Sequence, residues 1–329
     1  TLGYTSSGGE YKPPDSTHSC SASHIAMNTN LGYNYLTTTS SHEFQHAIQM
    51  SYDYEEPTWF MENTAVNMES YVFPEITDWV TGFWGQGAVR KPWLSITSGN
   101  PYWYGSSIWP RMMGLMFGWD AVREVWENCA ATSGGNMIEA IDEMFQNHGM
   151  NFEQGFMAYG MWRYFTGPNY AACYNLWDED LELPSSGPVI FTCHNVTSIP
   201  DNGDQGPYPP ETYGITWIRV DLENYQDGWI QFDFDGRDNF DFNLGAFLFN
   251  DSQISFQWYD VQCPDNMLSV SVPGAGYDYA VFFPAHMTDT SLSGNYDWSV
   301  SYTSGIEEGE GFGGTTLSVQ QNPMTTGSA

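Results

Sequence analysis

Basic residues are scarce in this chain of 329 residues, where eight Lys and Arg stand against 40 Asp and Glu and the formal net charge is −32. Lysine occurs only as Lys12 and Lys91. A surface this negative repels the phosphates of nucleic acids and of anionic membranes, so nucleic acid is not an expected partner. It attracts cations instead, and it suits salty or calcium-rich surroundings.

The chain also lacks any apolar run long enough to span a bilayer, so membrane insertion is not expected. It has no secretory signal pattern and does not begin with Met. Because Thr1 lies inside what reads as continuous domain sequence, we expect a processed or truncated product.

Cysteine is sparse, and none of the five cysteines forms a Cys-x-x-Cys metal or redox pair. Widely spaced cysteines in an acidic chain suggest an exported protein with one or two disulfides. Cys173 and Cys193 flank one loop-rich stretch and are the preferred pair. Buried free thiols are the alternative.

Apolar residues make up 41% of the chain and aromatic residues 17%, which is enough for a substantial core, and the length favours two domains. The patterns predict an α+β multidomain protein. Residues 1–168 read as a mainly helical lobe, and residues 169–210 as an acidic connector rich in Pro and Asn. Alternation of period two over residues 211–303 predicts an antiparallel β-sandwich, and residues 304–329 read as a flexible linker.

The helical lobe contains the motif H-E-x-x-H at His42, Glu43 and His46. On a helix, residues four apart share a face, so the two imidazoles would converge on one point. They would supply two zinc ligands, and Glu43 would take a proton from water at the metal. Three fixed residues can also arise by chance, so the surrounding sequence has to support the motif.

The surrounding sequence predicts a helix. Thr37 to Ser40 offer N-cap oxygens, and the helix should continue to about Tyr52. Its buried side is predicted to carry four apolar residues: Phe44, Ala47, Ile48 and Met50.

A second helix should start at Pro57 and Thr58, and it carries two candidates for the third ligand. Glu62 and Glu69 lie seven residues apart and therefore share a helix face. Glu62 is the preferred ligand and Glu69 the alternative. A glutamate on a helix is commonly a solvated surface residue, but the Trp-Phe-Met run before Glu62 indicates a buried face nearby.

The pair H-E-F-Q-H-A-I-Q and W-F-M-E-N-T-A resembles the gluzincin zinc metallopeptidases. Aminopeptidases of this type carry the third ligand in W-L-N-E-G-F-A, which corresponds to Glu62 here. A closer resemblance, over about residues 20–165, is to secreted bacterial proteins assigned as metalloproteases. The resemblance implies a zincin-like peptidase lobe that binds Zn²⁺. Asn63 replaces the usual Gly, and the absence of a G-A-M-E-N motif favours an endopeptidase.

A zinc peptidase needs a donor for the oxyanion that develops on the attacked carbonyl. In the aminopeptidases a Tyr stands shortly before a Gly and a helix, and that register implies Tyr102, with Tyr104 as its neighbour and rival. A structural role for either is equally compatible, because the chain has 21 tyrosines. His148 is a further candidate, although its position favours a role at a helix C-terminus.

Acidic stretches at 178–180, 201–204 and 233–241 could bind Ca²⁺, although solvated acidic loops explain them too. The segment Leu317–Met324 resembles the opening of the C-terminal sorting domains of type IX secretion. That resemblance implies an extracellular or cell-surface protein.

These observations predict a secreted zinc endopeptidase that acts on protein or peptide substrates. The alternative function is a structural or filament-forming surface protein, capable of self-assembly, that retains a vestigial metallopeptidase fold.

Overall fold

The computed structural model describes residues 2–12, 19–76, 86–131, 137–165, 192, 194–250, 253–261 and 265–304. These residues form two compact units. The first unit contains the described residues up to Arg90 and those from Ile96 to Gly155. The second contains Lys91–Ser95 and the described residues from Phe156 onward, so the division falls before residue 168.

The helices are α1 Tyr33–Tyr52, α2 Thr58–Val72, α3 Tyr102–Gly105, α4 Ile108–Phe117, α5 Asp120–Ala131, α6 Met137–Asn147 and α7 Phe152–Tyr164. The strands are β1 Gly3–Tyr11, β2 Cys20–Met27, β3 His194–Val196, β4 Asp201–Asp204, β5 Ile218–Asp221, β6 Gly228–Gly236, β7 Phe242–Asn250, β8 Gln253–Val261, β9 Met267–Pro273, β10 Tyr279–His286 and β11 Tyr296–Ser304. The α+β class is confirmed.

The helix α1 begins earlier than its sequence suggested. Its N-cap is Gly32, and the residues from Thr37 to Ser40 lie inside the helix, so their predicted capping role is wrong. The Thr37 hydroxyl donates to the Tyr33 carbonyl at 2.6 Å, and Ser40 donates to Leu36 at the same distance. Hydroxyls that bond back to the preceding turn can remain in a helix instead of ending it.

The buried side of α1 is polar, which contradicts the predicted apolar side. Phe44 is 60% exposed, while Glu43 and Gln49 are buried. The same helix packs against both α2 and the β1–β2 hairpin. Its inward positions carry hydrogen-bonding groups that meet partners on those elements, so the apolar Phe44 is left on the solvent side.

The second unit is built from two sheets. A mixed sheet has the strand order β3-β5-β10-β7-β8, with β3 parallel to β5, and an antiparallel sheet has the order β4-β11-β6-β9. Their inner faces share one apolar core. At its centre, the rings of Phe232 on β6 and Phe282 on β10 stack with centroids 4.0 Å apart. Two sheets packed over a common core form a sandwich, as the alternation of period two indicated, but the parallel pairing of β3 with β5 means that it is not purely antiparallel as predicted.

Two strands of this unit lacked a clear signal in the sequence. The strands β3 and β4 lie in the region assigned to the acidic connector, and β4 is the edge strand Asp-Asn-Gly-Asp beside β11. An edge strand with solvent on one side needs no apolar alternation. The other edge strand of this sheet, β9, pairs with β6 and does alternate, at Leu268 to Val272.

Several predictions fall outside the described residues: the Cys173–Cys193 disulfide, the acidic stretch at 178–180 and residues 305–329. Cys20 and Cys129 are free thiols. Among the described residues, no helix combines the length and hydrophobicity needed to cross a membrane.

His286 lies in the interior of the second unit and makes the stability of that unit depend on pH. Its ring stacks on Phe240 with centroids 5.0 Å apart, and burial lowers its pKa below the ordinary value of 6.5. The unfolded chain therefore takes up a proton below about pH 6.5 that the folded unit resists. This contribution to stability is present above that pH and is lost as the pH falls.

We therefore expect the amides of the second unit to be less protected from hydrogen exchange at about pH 5.5 than at about pH 7.5. In the His286→Gln variant this loss of protection should be smaller. Amide hydrogen exchange of peptides from residues 228–304 measures this directly. The comparison with the variant removes the general effect of the acidic surface. Equal pH dependence in both proteins would contradict the assignment.

Candidate metal centre

Two histidines of α1 and one glutamate of α2 converge on a single point. The Nε2 atom of His42 lies 3.1 Å from Nε2 of His46 and 3.1 Å from Oε2 of Glu62. The Nε2 atom of His46 lies 3.6 Å from the same oxygen. Within the described part of the chain, these are the three residues whose possible ligand atoms come together closely enough to hold a metal ion.

The size of this triangle fits a metal with tetrahedral coordination. Ligand atoms about 2.0–2.1 Å from such a metal lie about 3.3 Å from one another. The three observed separations, 3.1, 3.1 and 3.6 Å, bracket that value. The arrangement can therefore accept a metal without a large movement of either helix.

Glu69, the alternative ligand in the sequence, lies on the far side of the His42 ring. Its Oε1 is 2.7 Å from Nδ1 of His42, which donates because a carboxylate only accepts. Glu62 and Glu69 thus reach the same imidazole from two turns of α2, one at each ring nitrogen. Glu69 orients His42 and leaves Nε2 for the metal, which is how carboxylates commonly support a ligating histidine.

Gln49 holds His46 in the same way. Its Nε2 donates to the carbonyl of Met61 at 2.9 Å and to Oγ1 of Thr64 at 2.7 Å. Both amide protons face α2, so Oε1 must accept from Nδ1 of His46 at 2.7 Å. The lone pair of His46 is then on Nε2, directed at His42 and Glu62. With Nε2 of His42 deprotonated as well, both imidazoles would present lone pairs to one point.

The pKa values of His42 and Glu62 are shifted in the directions that favour a positive charge between them. Burial by itself lowers the pKa of His42, but hydrogen bonds to Glu62 and Glu69 more than offset it and raise the pKa from 6.5 to about 9. Burial raises the pKa of Glu62, yet the hydrogen bond from His42 and the neighbouring imidazole of His46 bring it from 4.5 down to about 2. A metal ion at this point would take the place of the proton that the carboxylates hold on His42.

Glu43, the expected base, follows His42 directly on α1 and is 6% exposed. The hydroxyl of Thr5 on β1 lies 2.8 Å from its Oε2. Glu43 is thus next to one candidate ligand in the sequence, and its carboxylate is engaged by the hairpin.

Of the two tyrosines on α3, Tyr104 lies beside the histidines. Its ring centroid is 6.3 Å from that of His42, whereas Tyr102 is buried, with 3% of its surface exposed. Burial raises the pKa of Tyr104, and the charges of Glu62, Glu43 and Glu69 raise it further. The hydroxyl therefore keeps its proton and can act as a hydrogen-bond donor.

Asn63 attaches this tyrosine segment to α2. Its Nδ2 donates to the Trp59 carbonyl at 2.7 Å and to the Trp103 carbonyl at 3.0 Å. The departure from the aminopeptidase pattern, Asn instead of Gly, thus fixes the backbone next to Tyr104. Glycine has no side chain with which to make this link.

The other candidates lie elsewhere. His148 follows the C-terminus of α6, and its Nε2 is 3.0 Å from Oε2 of Glu124 on α5. The described aspartates of the stretches 201–204 and 233–241 do not bring three ligand atoms together as His42, His46 and Glu62 do.

The supporting roles of Gln49, Asn63 and Thr5 were not predicted from the sequence. Gln49 ends the quoted run H-E-F-Q-H-A-I-Q, three residues after His46 and on the same helix face, which is a detectable signal. Thr5 offered none, because its contact with Glu43 joins residues 38 positions apart.

The chain matches no protein-family model and no curated protein. The resemblance to zinc metallopeptidases therefore rests on the quoted motifs and on the geometry of this site.

The supporting role of Gln49 yields a prediction about metal affinity. In the Gln49→Leu variant, His46 loses the acceptor that fixes its tautomer and ring orientation. We expect the affinity for Zn²⁺ or Co²⁺ to fall about 10- to 100-fold. Competition with a chromophoric chelator measures the change.

Ser51→Ala is the matched control, because Ser51 lies on the exposed side of α1 and bonds within its own helix to Ile48. It should bind metal as the wild type does. A Gln49→Leu variant that is folded and binds with wild-type affinity would show that Gln49 does not support the site.

Proposed function

We propose that this protein is a secreted zinc-dependent endopeptidase of the gluzincin type, in which His42, His46 and Glu62 hold the metal. The observation that carries the proposal is the convergence of the two Nε2 atoms and Oε2 of Glu62, with each Nδ1 atom engaged by a buried acceptor. A surface pair of histidines would not need two such supports.

The ligand set favours zinc in a catalytic role. Two imidazoles and one carboxylate are a common ligand set for catalytic zinc, whereas structural zinc is usually enclosed by four protein ligands that include cysteine. A site with three protein ligands leaves a position for water or substrate. The negative surroundings provided by Glu43 and Glu69 further favour a cation.

Zinc bound at this site would supply a Lewis acid that polarises a peptide carbonyl and acidifies water. Glu43 takes one proton from the attacking water as general base. The protonated Glu43 then donates this proton to the nitrogen of the leaving amine, so that the carboxylate is restored at the end of the cycle.

Tyr104 is the proposed donor to the carbonyl oxygen, which gains negative charge as water adds. Its position beside His42 supports this role. Tyr102 is buried within the fold and is not assigned a catalytic role. The absence of a G-A-M-E-N motif favours cleavage within chains over removal of single N-terminal residues.

The proposal predicts that Glu43→Gln cleaves casein about 10²- to 10⁴-fold more slowly than the wild type, because a positioned base contributes about that much. The variant should still contain stoichiometric zinc, since Glu43 is not a ligand. Metal analysis of protein purified without chelator, together with casein cleavage, measures both quantities.

Three outcomes of that experiment are informative. Wild-type protein without stoichiometric zinc, or cleavage that is unchanged in Glu43→Gln, would contradict the proposal. Stoichiometric zinc without any peptidase activity, combined with self-assembly in electron microscopy, would favour the structural alternative.

The two tyrosines give a matched pair of variants. Tyr104→Phe should lower kcat by about 10²- to 10³-fold, as loss of one oxyanion donor commonly does. Tyr102→Phe removes a hydroxyl from the same short helix and should leave kcat within about twofold of the wild type. The reverse result would move the oxyanion role to Tyr102.

A further inference from the structure

Thr5, close to the beginning of the chain, contacts the proposed base on α1. Its Oγ1 lies 2.8 Å from Oε2 of Glu43 and also 2.8 Å from the main-chain carbonyl oxygen of Glu43. The contact joins the first strand of the hairpin to the residue next to His42.

The backbone of β1 is built to come this close to α1. A Cβ atom at Gly3 would lie 3.0 Å from Cγ2 of Thr39 and 3.2 Å from Cγ of Glu43, tighter than side chains normally pack. Thr39 and Glu43 are one turn apart on the same face of α1. Glycine at position 3 therefore lets the strand lie against that turn, two residues before Thr5.

The pairing of β1 with β2 then fixes which side of the strand faces the helix. Thr5 pairs with Ile25, and its neighbour Ser6 pairs with His24. Successive side chains of a strand point to opposite faces. Accordingly, Thr5 reaches Glu43, whereas the Ser6 hydroxyl lies 2.8 Å from Nε2 of His24 and is exposed.

A hydroxyl with two acceptors nearby can hold the carboxyl group in every protonation state. When Glu43 is ionised, or carries its proton on Oε1, the Thr5 hydroxyl donates to Oε2. When the proton lies on Oε2, that group donates to Oγ1, and Thr5 turns its own hydrogen to the Glu43 carbonyl. Oε2 stays bound to Thr5 throughout.

We infer that Thr5 is a positioning residue for Glu43: it fixes Oε2 and leaves Oε1 to exchange protons with the attacking water and the leaving amine. This inference rests on the proposed function. It makes the hairpin a part of the active centre, because a carboxylate that must accept and release a proton in each cycle has to return to one position.

The test compares Thr5→Val, which removes the hydroxyl and keeps the shape, with Thr5→Ser, which keeps the hydroxyl. We expect Thr5→Val to lower kcat about 10- to 100-fold while KM and the zinc content stay close to wild type. Thr5→Ser should recover most of the loss. Ser6→Ala, on the opposite face of the same strand, is the control and should behave as the wild type.

Crystal structures of the same variants give a measurement that does not depend on turnover. Glu43 should adopt one conformation in the wild type and in Thr5→Ser, with Oε2 on the hydroxyl, and should shift or adopt several conformations in Thr5→Val. If the wild type cleaves casein and Thr5→Val has the same kcat, the inference is overturned and the proposed function stays intact.

If the wild type is inactive, the crystal structures decide the matter. An unchanged Glu43 in Thr5→Val would overturn the role of Thr5. A displaced Glu43 would support that role, and the inactivity would then count against the proposed peptidase function alone.

Discussion

The packing of α1 against α2 is the constraint on which the candidate site depends. It places the His42 ring between Glu62 and Glu69, and it inserts Gln49 between His46 and the backbone of α2. Polar groups removed from water in this way are costly unless each finds a partner. The partners here also hold a proton on Nδ1 of each ring and direct Nε2 of each ring to one point, so one helix contact determines both the packing and the chemistry.

Three ligand atoms that point at one another repel unless a cation lies among them. In the protein the proton on His42 meets this demand, which explains why its pKa rises to about 9 while that of Glu62 falls to about 2. The same demand would be met by a divalent metal. The acidity of the chain as a whole, with a net charge of −32, adds a field that attracts cations.

Polar side chains are buried on α1, and the apolar Phe44 is exposed, because the candidate site and its supporting contacts lie on the inward side of this helix. A helix that packs on both sides normally buries apolar residues, but here the inward positions hold Glu43, Gln45 and Gln49 while Phe44 faces solvent. Places where a sequence breaks the usual pattern are often functional, because chemistry needs polar groups where packing alone would not place them. The hairpin and α2 supply the partners that make this possible.

The sequence by itself determined the elements that follow regular patterns. The spacing of His42 and His46, the start of α2 at Thr58 and the β-sandwich of the second unit were read from periodicity and helix start signals. These features depend on residues close together in the chain. The edge strand β4 was missed, because a short and largely exposed strand needs no apolar alternation.

Tertiary structure decided what each polar side chain contacts. It placed Glu62 at Nε2 of His42 and Glu69 at Nδ1, although both glutamates share one face of α2. It brought Tyr104 beside His42, and it set Thr5 against Glu43. Such choices depend on helix and strand packing between residues far apart in the chain, which local pattern and propensity do not specify.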